Sequence, residues 1–237
     1  MLRTGVRRTV GLSETELLAK VPVFSGLPEE ERERLGSLLR SRRYARGEVI
    51  FHQGDPGDAV HLIQGGRVKI VLRADSGEEA VVAILGPSDC FGELALLDGE
   101  PRSATVAALE PVETVSLGRE AFLQFLQATP PAMERLLRAL AATVRGANGE
   151  LADLAFLDLP GRLVKKLLEL AADHGRPAGG AIEIQLPMTQ EDLAAMIGAT
   201  RASVNKVLGW YEAQGAIERR GRRIAILDPE RLRRRIT

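Results

Sequence analysis

Residues Phe91–Val106 have the sequence FGELALLDGEPRSATV and lie among short β-rich segments. A glycine turn at Gly92 precedes one predicted helical turn, Glu93–Leu97, and Arg102 follows just before a predicted strand. Free backbone N–H groups at a helix start bind anions, and an arginine opposite them can hold two oxygens of one phosphate. Glu93 can accept hydrogen bonds from the hydroxyl groups of a sugar. The pattern therefore indicates a site for a nucleotide monophosphate, and the alternative is a surface ion pair between Glu93 and Arg102 without a ligand.

The segments on either side of this stretch are rich in β-forming residues and are separated by glycine turns. Many short strands spaced about ten residues apart are typical of an antiparallel sandwich or barrel. Two short helices are predicted before them, at residues 14–20 and 28–40. The six predicted strands are Glu48–Phe51, Ala59–Ile63, Arg67–Leu72, Ala80–Leu85, Ser103–Ala108 and Glu113–Leu117.

The composition limits the classes of protein that are possible. Of the 237 residues, 45% are hydrophobic and 27% are charged, so the chain can bury a core and is not globally disordered. The single cysteine, Cys90, excludes an internal disulfide and a cysteine-based zinc or iron–sulfur site, and it fits the reducing cytoplasm. The three histidines lack the spacing of a metal site, so no metal is expected. Neither a run of 18 apolar residues nor the apolar core of a secretory signal occurs, so no membrane partner is expected.

A long helix is predicted after Pro130 and Pro131. Its apolar residues recur at alternating spacings of four and three over three heptads, which is the pattern of a helix that packs along another helix. We interpret this row as the interface of a two-fold dimer, and the alternative is a core helix that packs on its own β-domain. The row, called the seam below, consists of Met133, Leu137, Leu140, Val144, Ala147, Leu151 and Leu154.

Two helices joined by a glycine turn are predicted between residues 189 and 208. Thr189 can cap the first helix, Gly198 permits the turn, and Val204 packs inward. This spacing indicates a helix-turn-helix whose second helix enters the major groove of DNA, where Arg201 can bind guanine with two hydrogen bonds. The predicted DNA-binding residues of these helices are Thr189, Gln190, Thr200, Arg201, Ala202, Asn205 and Lys206.

Positive charge is concentrated at the C-terminal end of a chain whose formal net charge is zero. From residue 201 to residue 237 there are ten Lys and Arg against four Asp and Glu, which indicates a polyanionic partner. A predicted hairpin, Ile217–Ile226, carries four arginines around a glycine and is suited to contact phosphates as a wing. We expect Arg220 and Arg222 to make these contacts, and the alternative is a helical hairpin with solvated arginines.

These features together resemble the cyclic-AMP receptor protein / fumarate-nitrate regulator (CRP/FNR) family over about residues 18–230. The resemblance rests on the glycine-punctuated β-segments, on Gly92-Glu93-Leu94 followed by Arg102-Ser103-Ala104, and on Ala155–Arg162 at the end of the long helix. It implies an α+β fold with an N-terminal antiparallel β-roll that binds a cyclic nucleotide, a long dimerisation helix and a C-terminal winged helix-turn-helix. The expected divisions are a tail at 1–19, the β-roll domain at 20–130, the dimerisation helix at 131–158 and the DNA-binding domain at 159–237.

The resemblance assigns the ribose and cyclic phosphate to the β-roll and the adenine to the long helix. Cyclic-AMP binders of this family usually have threonine followed by serine or asparagine where this chain has Ala147 and Asn148, so the base-reading half of the site is weakened. The family also has a glutamate where this chain has Ala202, so the usual DNA half-site is not expected to be read in full. The expected ligand-binding residues are Gly92, Glu93, Leu94, Arg102, Ser103 and Asn148.

We therefore expect a cytoplasmic homodimeric transcription regulator, not an enzyme, whose DNA binding is controlled allosterically by cyclic AMP or a related cyclic nucleotide. The expected partners are double-stranded DNA, a second copy of the chain and RNA polymerase. One alternative is a ligand-independent activator of the same fold that is controlled by its abundance or by oxidation. The other is a cyclic-nucleotide regulatory subunit of an enzyme, and the helix-turn-helix with its basic wing argues against it.

Overall fold

The computed structural model describes residues 13–185, 188–221 and 223–236. The arginine-rich start of the chain and Arg222, a predicted phosphate contact, lie outside the described residues. The described chain forms two compact units. The first comprises the residues up to 72 together with 84–140, and the second comprises 73–83 together with the residues from 141 onward.

The helices that begin the first unit are α1 (Glu14–Lys20), a short 3-10 helix (Pro22–Phe24) and α2 (Glu29–Gly36). Ser13 and Glu16 bond each other's backbone N–H groups at the start of α1 and form a capping box. Leu17 and Leu18 of α1 are fully buried in the core of this unit. Folded structure therefore begins before residue 20, and the expected boundary between a tail and the first domain at residue 20 is too late.

Eight strands follow, and they are β1 (Arg40–Tyr44), β2 (Val49–Phe51), β3 (Ala59–Gly65), β4 (Val68–Arg73), β5 (Glu79–Leu85), β6 (Cys90–Phe91), β7 (Thr105–Ala108) and β8 (Val112–Gly118). They form two four-stranded sheets, of strand order β1-β8-β3-β6 and β2-β7-β4-β5. The register of β3 against β8 and of β4 against β7 is antiparallel. The predicted antiparallel sheet architecture is therefore confirmed, with β1 and β6 as two strands that the sequence did not predict.

Two core clusters hold the first unit together. The smaller cluster contains Ile63, Phe91 and Val106 from both sheets. The larger cluster combines inward-facing residues of β3 and β8 with the apolar faces of helices, including α3 (Leu94–Asp98) and α4 (Arg119–Ala128). Successive side chains of a strand point to opposite faces of the sheet. Only every second residue can therefore reach the core on a given side.

The long predicted helix is α5 (Pro130–Phe156), a single helix of 27 residues that contributes to both units. It begins at the predicted prolines, because a proline in the first helical turn lacks only an N–H that would have no partner inside the helix. Met133 and Leu140 pack against the larger core cluster of the first unit. These two seam residues therefore contact the chain's own domain, as the alternative expects, and their place in a dimer interface stays a prediction. A heptad pattern cannot distinguish the two cases, since both require an apolar stripe.

The second unit contains α6 (Leu159–His174), β9 (Gly175–Ala178), β10 (Ala181–Ile184), α7 (Gln190–Met196), α8 (Arg201–Ala213), β11 (Ile217–Arg220), β12 (Arg223–Ile226) and α9 (Pro229–Arg233). Its four strands form a sheet of order β11-β12-β10-β9. The segment at residues 175–180 contains β9, because Gly175–Ala178 pairs antiparallel with Ala181–Ile184. A Cβ atom at Gly175 would lie 2.1 Å from the carbonyl oxygen of Ala171, so only glycine lets the strand leave α6 this closely.

Candidate ligand site and nucleic-acid interface

The guanidinium of Arg102 is the centre of the candidate ligand site. Arg102 is only 4% exposed, its Nη1 donates to the carbonyl oxygen of Gly92 at 2.7 Å, and its Nη2 donates to that of Ala59 at 2.8 Å. Gly92 has a φ of +85°, and a Cβ atom there would lie 2.5 Å from Nη1. The glycine is therefore required both by the backbone conformation and by the approach of the arginine. Two of the three guanidinium nitrogens of Arg102 therefore bond to backbone carbonyls, and its contact with a phosphate stays a prediction.

The remaining surroundings of Arg102 are aromatic and acidic. The guanidinium carbon lies 4.1 Å from the ring centroid of Phe51, at cation–π distance, and Nη2 lies 3.7 Å from the carboxylate of Asp58. The expected alternative, an ion pair with Glu93, is not the one formed. The Nε–H of Arg102 is buried and has no hydrogen-bond partner in the part of the chain that the structure describes. A buried donor on a charged group is costly to leave unpaired, so this atom fits an acceptor supplied by a ligand or a water.

A loop of the β-roll packs directly against α3 and Arg102. The backbones of Asp55 and Arg102 are joined by an N–H to carbonyl bond of 2.8 Å, and Gly54 donates to the carbonyl of Arg102 at 2.9 Å. A Cβ atom at Gly57 would lie 2.4 Å from the Cβ atom of Ala95, so a larger residue would push the loop from the helix. This close packing fixes the position of Arg102 relative to the turn at Gly92.

Glu93 sits at the start of α3 as its N-terminal flanking residue, and its side chain does not cap the helix. Burial raises the pKa of the Glu93 carboxyl, and the positive charge of Arg102 partly lowers it. A carboxyl group in this setting gains from hydrogen bonds that stabilise its charged form, such as those from the hydroxyl groups of a sugar.

The neighbouring ionisable groups are held in their neutral forms. The ring of His61 stacks on that of Phe91 with centroids 5.1 Å apart, and burial together with the charge of Arg102 lowers the pKa of His61 to about 4. Burial raises the pKa of the Cys90 thiol to about 12. A thiol that stays protonated at neutral pH is a poor nucleophile, which agrees with the interpretation of Cys90 as a packing residue.

The other expected ligand residues are placed as follows. Ser103 is exposed directly after Arg102, and Leu94 is 39% exposed at the first turn of α3. Together with Gly92, Glu93 and Arg102 they lie within residues 92–103 of the first unit. Asn148 is exposed on the part of α5 that belongs to the second unit.

Apart from Met133 and Leu140, the seam is exposed along α5. Leu137, Val144, Leu151 and Leu154 are 57%, 59%, 63% and 52% exposed, and Ala147 is exposed as well. Aliphatic side chains in one row of a single helix leave an apolar stripe uncovered, which is unusual for a folded chain on its own. These five residues remain predicted contacts with a partner helix.

The predicted helix-turn-helix consists of α7 and α8. Gly198 adopts a φ of +61° in the turn between them, and Leu193, Ala194 and Val204 are buried between the helices. The exposed residues of α8 include Arg201, Ala202 and Lys206. The helix therefore presents the row of side chains that the sequence predicted for the major groove, with its apolar face turned inward.

Three of the predicted DNA-binding side chains have a structural role in the helices or the wing. The hydroxyl of Thr189 accepts from the backbone N–H of Asp192 and donates to its carboxylate, which completes the predicted capping box. The hydroxyl of Thr200 accepts from the backbone N–H of Ser203 at the start of α8. Asn205 is half-buried, and its Oδ1 accepts from Arg219 at 3.5 Å. Their assignment as DNA contacts stays a prediction.

The wing is the hairpin of β11 and β12, and its described arginines, Arg219, Arg220 and Arg223, are paired with acidic side chains. Arg220 lies 2.6 Å from Glu218, and Arg223 lies 2.9 Å from Glu183, a carboxylate that is only 6% exposed. Arg220 is also within 3.7 Å of Glu183. Because Glu183 lies on β10, it fixes both strands of the wing to the rest of the sheet.

Comparison with known proteins places this geometry in a family. Residues 41–129 match the family described as "Cyclic nucleotide-binding domain", and residues 161–235 match "Crp-like helix-turn-helix domain". The chain is 40% identical over 220 residues to the "CRP-like cAMP-activated global transcriptional regulator" of Mycobacterium tuberculosis, which covers 93% of this chain and 98% of that protein. The chain belongs to the CRP/FNR family. The members of this family are DNA-binding transcription regulators and not enzymes.

Two further CRP/FNR proteins extend the comparison. The chain is 34% identical over 196 residues to the "Cyclic AMP receptor protein" of Thermus thermophilus, which covers 83% of this chain and 88% of that protein. The crystal structure of a CRP family transcriptional regulator from Thermus thermophilus aligns with a TM-score of 0.70 at 27% identity and covers 82% of this chain and 96% of that one. The predicted fold class is therefore confirmed.

Several residues of this CRP/FNR chain that shape the two sites were not predicted from the sequence. Arg219 is one of them, and a signal for it was present, because it shares a strand face with the buried Ile217. Asp58 and Ala59 contact Arg102 across 43 or 44 residues of sequence, and no local pattern indicates this. Trp210 is 57% exposed, whereas its neighbour Tyr211 is buried.

Among the described residues, no helix combines the length and the apolar character that crossing a bilayer requires. In the same part of the chain, no three His, Cys, Asp or Glu side chains are grouped so that they could hold a metal ion.

Proposed function

We propose that this CRP/FNR protein is a homodimeric transcription regulator whose DNA binding is controlled by a cyclic nucleotide, with cyclic AMP as the first candidate. The nucleotide would be held by Gly92, Glu93, Leu94, Arg102 and Ser103. Asn148 would contact the base.

The observation that carries the proposal is the setting of Arg102. A guanidinium that is 4% exposed and still has a buried N–H without a partner among the described residues fits an anionic ligand. The turn at Gly92 supports the same conclusion, because Gly92 adds no side chain of its own over the start of α3. Glu93, whose pKa is raised by burial, is suited to accept hydrogen bonds from a ribose.

The choice of base is the less specific half of the proposed site. Asn148 has an amide that can both donate to and accept from a purine edge. Ala147, next to it, has no group that can form a hydrogen bond. We therefore expect weaker discrimination between adenine and guanine than in a chain with a hydroxyl at this position.

Dimerisation and control would both act through α5. The exposed seam from Leu137 to Leu154 supports pairing with a second copy of the same helix. A ligand that touches the β-roll and Asn148 would favour one arrangement of α5, and a change in α5 would alter the spacing of the two recognition helices.

The test is calorimetric titration of the purified protein with cyclic AMP and cyclic GMP, each with and without a DNA fragment that carries its binding site. If the nucleotide raises DNA affinity by some factor, DNA must raise nucleotide affinity by the same factor. Linear 5′-AMP serves as the control ligand, because it has the same base with an open, doubly charged phosphate. Absence of binding at millimolar cyclic nucleotide would contradict the proposal.

A ligand-independent activator of the same fold is the second candidate. It is favoured by the bonds from Nη1 and Nη2 of Arg102 to protein carbonyls, which hold the turn at Gly92 without a ligand. Such a protein would bind its DNA site with equal affinity whether or not a nucleotide is present. Control of this candidate by oxidation of Cys90 is disfavoured, because burial raises the pKa of its thiol to about 12.

The same proposal places the protein in the cytoplasm, where its DNA lies, and makes RNA polymerase its partner at promoters. Both follow from the function of a transcription regulator. Co-purification of RNA polymerase on promoter DNA, with and without the protein, would test the second point.

A further inference from the structure

The chain contains a single tryptophan, Trp210, which lies in the second half of the recognition helix α8. It is 57% exposed, whereas Tyr211 beside it is buried. The two rings meet edge to face, with centroids 4.8 Å apart and an interplanar angle of 82°. This contact with a buried ring restricts the orientation of the indole, so little conformational entropy is lost when a partner covers it.

The exposed indole offers both an apolar surface and a hydrogen-bond donor. Its Nε1–H has no hydrogen-bond partner among the residues that the structure describes. An indole can donate a hydrogen bond but cannot accept one. A partner that fits Trp210 therefore combines apolar atoms with acceptor oxygens, as the deoxyribose and phosphate of a DNA backbone do.

The outer face of α8 suits a helix that lies in a groove. At about 3.6 residues per turn, Ala202, Gly209 and Ala213 lie within about 40° of one another around the helix axis. They form a line on the side of the helix that faces away from the buried Val204 and Leu208. Small residues along this line let the helix backbone come close to the floor of a groove.

Trp210 lies beside this line of small residues. Lys206 precedes it by four residues, so the two side chains are neighbours on the same side of the line, and both are exposed. In a helix that follows the major groove, this side faces one of the two backbone walls. In a helix that tilts out of the groove, its second half passes over the backbone at the edge, because Trp210 is about 12 Å along the axis from Ala202 and the groove is about 12 Å wide.

We propose that Trp210 is a DNA contact, in which the indole ring packs on a deoxyribose and Nε1 donates to a phosphate at the edge of the major groove. The inference rests on the proposed entry of α8 into that groove. Because the contact is made to the backbone, it adds affinity without a preference for any base. Because the indole is uncharged, it adds affinity without releasing a counterion.

The single tryptophan makes this contact directly measurable. Quenching of its fluorescence by acrylamide is compared between the free protein and the protein saturated with a DNA site selected from a random pool. Cyclic AMP is present at the same concentration in both samples, so that the difference is due to the DNA. The anisotropy of a dye on the DNA reports binding independently. We expect DNA to lower the quenching constant at least twofold, because the backbone covers the ring.

Two variants separate the donor from the ring. Trp210→Phe keeps an aromatic ring without the N–H and should weaken DNA binding about tenfold, because a hydrogen bond to a charged phosphate is lost. Trp210→Ala removes the ring as well and should weaken binding further. In both variants the preferred bases and the salt dependence of affinity should match those of the wild type. A contact made by an arginine or a lysine would instead change the salt dependence.

Leu227→Ala is the matched control. It also removes an exposed apolar side chain from the second unit, but Leu227 follows β12 and lies outside α8. We expect its affinity for DNA to equal that of the wild type. Urea unfolding of all variants shows that they are folded, which is expected because Trp210 is largely exposed.

Four results would overturn the inference. The first is a tryptophan that acrylamide quenches equally well in the free and the DNA-bound protein, and the second is unchanged affinity of folded Trp210→Ala. The third is protection from acrylamide that appears only when RNA polymerase is added, which would assign Trp210 to that partner. The fourth is protection that rises with protein concentration in the absence of DNA, which would assign it to a second copy of the chain. A wild type that gives no anisotropy change with any DNA would instead overturn the proposed function and this inference with it.

Discussion

Replacing Leu151 by aspartate should convert the protein from dimer to monomer at micromolar concentration. Leu151 is 63% exposed in the single chain, and full burial of a leucine side chain is worth about 1.5–3 kcal/mol. Its exposed part therefore corresponds to about 1–2 kcal/mol. In a two-fold interface the same residue is buried twice, so the variant loses about 2–4 kcal/mol and the dimer dissociates roughly 30-fold to several hundred-fold more readily. The introduced charges add to this loss.

The structure also decides which seam residue to change. Leu140 packs on the core of its own unit, so an aspartate there would destabilise the monomer as well as the dimer. Ala142 is the matched control position, because it is exposed on the opposite face of the same helix. Ala142→Asp introduces the same charge into α5 and should leave the dimer intact.

Sedimentation velocity over a range of protein concentrations measures the effect directly. Leu151→Asp should also bind a two-fold symmetric DNA site more weakly than Ala142→Asp does, since a monomer holds only one half-site. A Leu151→Asp variant that dimerises as tightly as Ala142→Asp would refute the interface, as would a wild type that is already monomeric at micromolar concentration.

Three further outcomes are expected. Arg102→Ala should lower cyclic-nucleotide affinity at least tenfold and also destabilise the fold, because each lost hydrogen bond from a charged group costs about 1.5–3 kcal/mol; calorimetry and urea unfolding measure the two effects, and unchanged nucleotide affinity would contradict the site. The unfolding free energy should fall by about 3 kcal/mol as the pH drops from 6.5 to 4, because His61, with a pKa of about 4, takes up a proton in this window only when unfolded. Urea unfolding of His61→Phe should show an unfolding free energy that depends less on pH. The same pH dependence in the wild type and the variant would exclude His61 as the cause. Ala202→Glu should sharpen the half-site preference towards cytosine, because a carboxylate accepts from cytosine N4 and an alanine methyl cannot; equal stringency in site selection would show that Ala202 does not face the bases.

Local sequence patterns were sufficient for the elements that local chemistry stabilises. Thr189 predicted the start of α7 and Gly198 predicted the turn before α8, and the structure has both. The strand β9 was missed, because Gly175–Ala178 has the composition of a turn and forms a strand only through pairing with β10. β1 was missed for the same reason, since its charged residues are held in register by β8.

The chemistry of the candidate ligand site was predicted in its residues but not in its contacts. The spacing of Gly92 and Arg102 correctly brought the two together. The bond from Arg102 to Ala59 spans 43 residues of sequence, so it depends on the sheet topology and not on any motif. The sequence likewise could not show which seam residues contact the chain's own core. Met133 and Leu140 do so only because of the way α5 packs on the first unit.

The ion pairs of the second unit show which of its arginines are available to bind phosphate. The sequence alone assigns the excess of arginines to phosphate binding, yet Arg219, Arg220 and Arg223 each have a carboxylate partner. The pair of Arg220 with Glu218 is largely exposed, and such pairs contribute little to stability, so a phosphate can replace the carboxylate at small cost. Arg219 is different, because its Nε and Nη2 would both have to leave the carboxylate of Glu212 before the guanidinium could reach DNA. The number of phosphates that the wing binds, measured from the salt dependence of affinity, should therefore be smaller than the number of its arginines. The difference is the number of arginines that hold the structure of the wing and do not bind phosphate.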